Sequence, residues 1–296
     1  MTANKTGYLT SDFRIFYLTN IEERDFQSHY HDFHKLLIFE SGSLSYYIEG
    51  ETYQLQPWDL VLVPAGEVHR PIIHDDSPYR RLILYLSPAF LERYKEHLSA
   101  FYHCFHHETA DSAEHCFRSA EADQNAKAAS LQNHTHLLRI KNFQKSRLYP
   151  VFLELQRSAA EQTTFYQQIV LLQFLMLLSQ FSQSSDAIYP SASGANQQIL
   201  QALTYINEHL QEELSVDQIA ASCFLNRSYL MHLFRRETGY SVMSYVTEKR
   251  LFAARTLIQS GVPVTEACLR SGFQSYSAFY RAYHKKFKEA PKAAHP

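Results

Sequence analysis

The amino-terminal half carries four side chains that could do chemistry together. His29, His31 and Lys35 precede and open one apolar run, and His69, with Pro64 and Gly66, follows another. Three imidazoles can converge on zinc or iron. Lys35 speaks against that use, because an ammonium group that is cationic at neutral pH cannot ligate a metal. The second reading is a cationic pocket for an organic small molecule bearing hydroxyls or a carboxylate. Lys35 and the histidines would then be polar anchors, with Tyr47 or its neighbour Tyr46 as walls. In a third reading the histidines are core or surface groups without a ligand. A further histidine-rich stretch (His103, His106, His107, His115) has no carboxylate or cysteine at a convincing ligand spacing.

Short strands must position the first group. From Asp12 to Tyr85 runs such as FRIFYLT, KLLIFES, SLSYYIEG, DLVLVPA and YRRLILYL alternate with Gly, Pro, Asp and Ser turns. Ile48 to Glu51 marks a hairpin, and Gln56-Pro57-Trp58-Asp59 a second turn. Strands without intervening helices predict a small antiparallel barrel or double-sheet roll.

The carboxy-terminal third holds a different kind of chemistry. One unit occurs twice, as SVDQIAASCFLNRSYLMHLFRRETG and PVTEACLRSGFQSYSAFYRAYHKKFK. Each copy has a short helix with a small inward residue (Ala220, Cys268), a tight turn and a second helix. Ser215, Asn226 and Ser275 are N-cap residues, and Gly272 occupies the second turn. A long amphipathic helix, Val242 to Ser260, lies between the copies, and Pro263 ends it. With Leu230, Leu233 and Phe234 inward, Arg227, Ser228, Met231, His232, Arg235 and Arg236 face outward. The same geometry selects Tyr276, Ser277, Tyr280 and Arg281 on the last helix. From Gln197 onward there are 12 Lys and Arg against 8 Asp and Glu, leaving 16 against 22 in the rest. A net −2 chain thus has a basic end, as contact with phosphates requires.

These residues resemble the AraC/XylS family of transcription regulators. The resemblance rests on Ile219-Ala220, Tyr229-Leu230, Leu233-Phe234, Glu237-Thr238-Gly239, Arg250, Ala254, Gly272-Phe273, Phe279, Arg281 and Pro291, which cover about the last third of the chain. It implies two helix-turn-helix motifs. Ser228, Met231 and His232 would face bases, Arg227, Arg235 and Arg236 would hold phosphates, and Arg281 would make a bidentate contact to guanine. Two departures stand out: Lys288 replaces the glycine that usually ends the last helix, and Ala267-Cys268 replaces Ile-Ala. The amino-terminal histidines resemble the cupin sensor half of such regulators, with Lys35 where a glutamate ligand is expected.

Between the two parts the chain turns helical. Phe90, Leu91, Tyr94, Leu98 and Phe101 recur at helix spacing after Pro88. Helices follow at about Lys145 to Ala160 and Thr164 to Ser182, the latter nearly apolar all round. Burial on two sides, against its own domain and against a second copy, is one account of it and an ordinary core helix is the other; the resemblance implies a homodimer. Residues 120–133 read as a loop or short helix.

The fold expected is α+β: an N-terminal cupin-like antiparallel β-barrel at 1–90, a helical dimerisation region at 91–183, a linker at 184–196, and an all-α domain with two helix-turn-helix motifs at 197–296. Four cysteines without metal-type pairing and an N-terminus without an apolar signal core suit a reducing cytoplasm. The expected function is a DNA-binding regulator, by family habit an activator, controlled by a sugar or carboxylate. Promoter DNA, the effector and a second copy are the partners, with RNA polymerase a further candidate. No cofactor, catalytic activity or membrane is expected. The rivals are a cupin-type metal enzyme fused to a DNA-binding domain and an effector-independent DNA-binding protein.

Overall fold

The structure, a computed structural model, describes residue 9 and residues 11–20, 26–103, 105, 136–160 and 164–292. Cys104, His106, His107, Cys116, His115 and the stretch 120–133 lie outside these residues. The chain divides into two compact units. One is built from the elements up to Ser193; the other runs from Gly194 onward and includes the short pieces Gln27–His29 and Glu49–Glu51.

The first unit is antiparallel. Its strands are β1 (Phe13–Asn20), β2 (His34–Ser41), β3 (Leu44–Ile48), β4 (Glu51–Gln54), β5 (Leu60–Val63), β6 (His69–Ile73), β7 (Tyr79–Leu86), β8 (Leu137–Ile140) and β9 (Ala187–Ile188). One sheet has the order β1-β7-β2-β5-β8-β9, and β4-β3-β6 are neighbours in a second. The alternating runs correspond to β1 to β7, but β8 is not among them. It pairs with β5 through Leu60↔Leu138 and Val61↔Leu137.

The larger sheet is buried on both faces because its strands are apolar at successive positions. In β2, Leu36 and Ile38 point to a core shared with Leu62, Leu82, Leu84 and the helices. Leu37 and Phe39 point the other way, to a core shared with Leu44, Tyr46 and Ile48 of the second sheet. The helices on the first face are α1 (Pro88–Arg93), α2 (Ser99–His103), α3 (Leu148–Ser158) and α4 (Thr164–Ser182). Ser87 caps α1, its side chain accepting from the amide of Phe90. The helical stretch expected after Pro88 consists of two short helices, separated by a turn that starts at Tyr94.

A fully buried Asp59 ties β8 to the turn before β5. Its carboxylate accepts from Arg139 Nε at 2.6 Å and Nη2 at 2.8 Å, and from the Gln56 amide at 2.7 Å. The fork geometry fixes register as well as charge. Beside it Trp58, at a φ of 75°, stacks on Phe143. Part of the expected linker also lies on this unit. Arg139 and Ile140 pair with β9, and the Ser193 amide donates to Thr52 O at 2.7 Å.

The second unit is helical: α5 (Gln197–Glu208), α6 (Val216–Ser222), α7 (Arg227–Thr238), α8 (Val242–Gln259), α9 (Val264–Arg270) and α10 (Tyr276–Phe287). Ser215, Asn226 and Ser275 cap α6, α7 and α10 as expected, and Ser215 completes a capping box with Gln218. Ala220 and Cys268 are buried, as are Leu230, Leu233, Phe234, Phe279 and Tyr283. The two turns differ. Gly272 takes a φ of +90°, and a Cβ there would stand 2.3 Å from the carbonyl oxygen of Leu210. In the first copy Phe224 adopts the left-handed angle, with its ring 92% exposed. Lys288 ends α10 in the same conformation, at a φ of 58°. The last helix therefore keeps the left-handed stop that a glycine would supply, at the cost of a crowded Cβ.

Candidate functional site

Strand register decides which polar side chains enter the space between the two sheets. Lys35, in phase with Leu37 and Phe39, lies beside Val63 on one side and Tyr85 on the other. Arg81 is opposite Phe39 and therefore shares this face. From the second sheet, Ile48 pairs with His69 and Tyr46 with Pro71. Lys35, Arg81, His69 and Tyr46 are all buried.

Lys35 Nζ donates to Tyr46 Oη at 2.7 Å and lies 3.5 Å from His69 Nε2. His69 Nδ1 stands 2.9 Å from the Glu67 carbonyl oxygen. A carbonyl only accepts, so the ring proton is on Nδ1 and Nε2 offers its lone pair toward the lysine. His31 is held likewise by the Phe33 carbonyl at 2.6 Å; its ring stacks on Phe33 at 4.0 Å and meets His69 edge-on at 4.7 Å. The Arg81 guanidinium lies 3.9 Å from the Tyr79 ring centroid and donates to Tyr79 O at 3.1 Å. Burial, reinforced by the Arg81 charge, brings the Lys35 amine down from 10.5 to about 7. Burial also raises the Tyr46 hydroxyl well above its ordinary value, so it stays protonated at neutral pH.

Of the expected pocket residues, the structure brings together His31, Lys35 and His69. His29 is exposed, belongs to the second unit, and has Nδ1 3.0 Å from the Gln27 carbonyl oxygen. Tyr47 is also displaced from its expected role. Adjacent strand residues face opposite ways, so Tyr46 shares the interior face with Lys35, while Tyr47 sits on the other face with Arg70 5.7 Å from its ring centroid. Sequence reasoning missed Arg81. Its signal was present in YRRLILYL, where residue 81 is in phase with Ile83 and Tyr85.

The arrangement does not suit a divalent metal. A lysine amine occupies the place of the acidic ligand, His29 is outside the group, and a second cation, Arg81, shares the face. Among the described residues no three His, Cys, Asp or Glu side chains gather to hold a metal. A buried amine titrating near neutrality and a buried guanidinium, with tyrosine and histidine partners, instead suit an organic molecule with oxygen atoms.

The second candidate surface lies on α7 and α10. Arg227, Ser228, Met231, His232, Arg235 and Arg236 are all exposed, as are Tyr276, Ser277, Tyr280 and Arg281. Their partners divide them. Arg227 is paired with Asp217 at 2.7 Å and Arg236 with Glu237 at 2.7 Å. Among the described residues no ion pair engages Arg235 or Arg281, so their guanidinium groups are available to an outside acceptor. Arg250 fixes the frame of this unit, donating to Leu210 O at 2.9 Å and to Glu212 O at 2.5 Å.

A third surface runs along α4. Val170, Leu171, Phe174, Leu175 and Leu178 are buried, while Phe165 (77%), Ile169 (50%) and Met176 (47%) are exposed on another side. Among the described residues no helix is long and apolar enough to cross a membrane.

Comparison with known proteins matches residues 15–140 to the AraC-like ligand binding domain family and residues 219–294 to the Helix-turn-helix domain family. The HTH-type transcriptional activator RhaS of Shigella boydii is 23% identical over 279 residues, covering 92% of this chain and 88% of its own. RhaS of Escherichia coli K12 gives the same identity and coverage. Among solved structures, the C-terminal domain of AraT, a response regulator from Geobacillus stearothermophilus, is 24% identical with a TM-score of 0.32, covering 32% of this chain and 81% of that one. An apo ToxT variant from Vibrio cholerae is 14% identical with a TM-score of 0.39, covering 95% and 96%.

Proposed function

The chain belongs to the AraC/XylS family of transcription regulators, with a ligand-binding amino-terminal part and a DNA-binding helix-turn-helix part, and from that premise we propose how each part works. The protein is a transcriptional activator whose barrel holds a small oxygenated organic effector, such as a sugar or a carboxylate, against Lys35, Tyr46, His69 and Arg81. The observation that carries this reading is the buried amine itself, bonded to a phenol and a ring nitrogen between two sheets. A cationic nitrogen in an apolar core costs stability unless it serves a partner.

On the DNA side, α7 and α10 enter successive major-groove segments, with Ser228, Met231, His232, Tyr276, Ser277 and Tyr280 toward bases. Arg281 reads a guanine, while Arg227, Arg235 and Arg236 hold phosphates. The outer stripe of α4, with Phe165, Ile169 and Met176, packs against a second copy. The effector acts by favouring one arrangement of the protein on DNA, through a coupling of about 1 to 3 kcal/mol.

The test uses the full-length protein and fragments of its own promoter region. Fluorescence anisotropy at low salt measures affinity, and thermal unfolding with sugars, sugar acids and small carboxylates measures the barrel. A saturating effector at about 100 times its Kd stabilises by about 2.7 kcal/mol. Absence of any stabilising compound refutes the effector half; absence of duplex binding refutes the other.

A further inference from the structure

From the geometry around Lys35 we propose that its amine captures an aldehyde or ketone group of the effector as a reversible imine, with Tyr46 and His69 moving the protons. This deepens the effector reading above and rests on it.

Three features of the site make a nucleophile of an amine. The Lys35 side chain is buried on an interior face with Val63, Leu37, Phe39, Ile83 and Tyr85. A second cation, Arg81, lies on the same face opposite Phe39 and acts on the amine through its charge. Desolvation and a neighbouring positive charge are what free a lysine's lone pair at neutral pH. The amine also touches both a proton donor and a proton acceptor. Because Nζ donates to Tyr46 Oη at 2.7 Å, the phenol's own proton is free to turn to another oxygen. His69 Nε2, 3.5 Å from Nζ, carries a lone pair. Finally, Lys35 is the second residue of β2, at the strand end, and its register neighbour Tyr85 is only half-buried. His31, Phe33, His34 and Val63 around Lys35 are buried, so the side by which a small molecule would enter is that of Tyr85.

The step balances with these groups alone. The nitrogen lone pair forms the C–N bond, the carbonyl π pair moves to oxygen, and that oxygen takes the Tyr46 proton. A proton from the new ammonium restores the phenol, giving a carbinolamine. His69 Nε2 then takes the remaining N–H proton and delivers it to the departing hydroxyl. Water leaves, the C=N bond forms, and no oxidant or reductant is consumed. A carboxylate could only pair with the cation; a carbonyl compound is held covalently yet released by hydrolysis.

The test traps the imine. Full-length protein at pH 7 is incubated with glycolaldehyde or dihydroxyacetone and sodium cyanoborohydride, then digested, and each lysine's mass increment is followed in time. At pH 7 an amine titrating at about 7 is about half neutral, against roughly one part in 3,000 for an ordinary lysine. Lys35 is expected to label at least about tenfold faster than the median lysine, allowing for slower entry to a buried site. Labelling at or below the median rate with both probes overturns the proposal. Lactate and gluconate, which lack a free aldehyde or ketone, separate this from the broader reading. If they stabilise the wild type but not Lys35→Met, while Lys35 stays unlabelled, the barrel binds carboxylates and only the imine is wrong. If neither class binds nor labels, both readings fall.

Discussion

Replacing Lys35 by methionine keeps the side chain's length and removes its charge, so the variant isolates what burying the ammonium costs. The folded amine titrates at about 7, the unfolded one at 10.5. Between those values the folded protein binds fewer protons than the unfolded chain, so stability rises with pH across the window. Below pH 7 the penalty is fully present, about 5 kcal/mol at 1.36 kcal/mol per pH unit of displacement. Between pH 7 and pH 9 the wild type should therefore gain about 2 kcal/mol relative to Lys35→Met, with the variant the more stable at pH 6. The groups facing Lys35, namely Arg81, Tyr46, His69, His31 and Tyr85, are common to both proteins, so their own titrations largely cancel in the difference. Trp58, the chain's single tryptophan, sits against Phe143, Tyr149 and Phe152 in the same unit and reports its urea unfolding by fluorescence. A difference between the proteins that stays level within about 0.5 kcal/mol from pH 6 to 9 would refute the reasoning, since it means that water or a counter-charge reaches the ammonium.

Four further outcomes are expected. Arg281→Ala should weaken specific operator binding by about 1 to 3 kcal/mol and relax preference at one base pair, whereas Arg227→Ala should weaken all duplexes alike; anisotropy against a set of single-base operator variants distinguishes them. Asp59→Ala removes the acceptor of both Arg139 bonds and should cost about 3 kcal/mol in urea unfolding followed by Trp58, while a loss under about 1 kcal/mol would show that β8 is held by its apolar contacts alone. Gly272→Ala forces a methyl within 2.3 Å of the Leu210 oxygen and should destabilise the helical unit by about 3 kcal/mol or more, whereas Lys288→Gly relieves a left-handed residue and should add about 1 kcal/mol, both read by circular dichroism melting. Ile169→Asp places a charge in the exposed stripe of α4 and should shift the protein to monomer in sedimentation at micromolar concentration; an unchanged sedimentation coefficient would move the interface elsewhere.

Helix spacing made the second unit legible almost residue by residue. A period of 3.6 leaves one answer for which of Leu230, Met231, His232 and Leu233 are inside, and the caps Ser215, Asn226 and Ser275 mark the starts. The strands were legible too, but the interior of the barrel was only half so. Tyr46 and Tyr47 are adjacent, and a one-residue difference in phase exchanges the faces of a strand. Both tyrosines are buried, so composition alone does not choose between them. Arg81 was overlooked because an arginine in a strand reads as solvent-facing. β8 was invisible for another reason: four residues are too few to show a period, and the acid that fixes it, Asp59, lies 80 positions earlier. The pairing of β9 with β8 is equally non-local.

That late strand bears on how the protein can be cut and made. Until Leu137–Ile140 arrives, the Leu60–Val61 side of β5 is an open edge of apolar residues, the kind of template on which another chain adds itself. A fragment that stops after the helices near residue 90 should therefore precipitate on expression. One carried through Ser193 keeps β8, β9 and the Asp59 clamp, and should stay in solution.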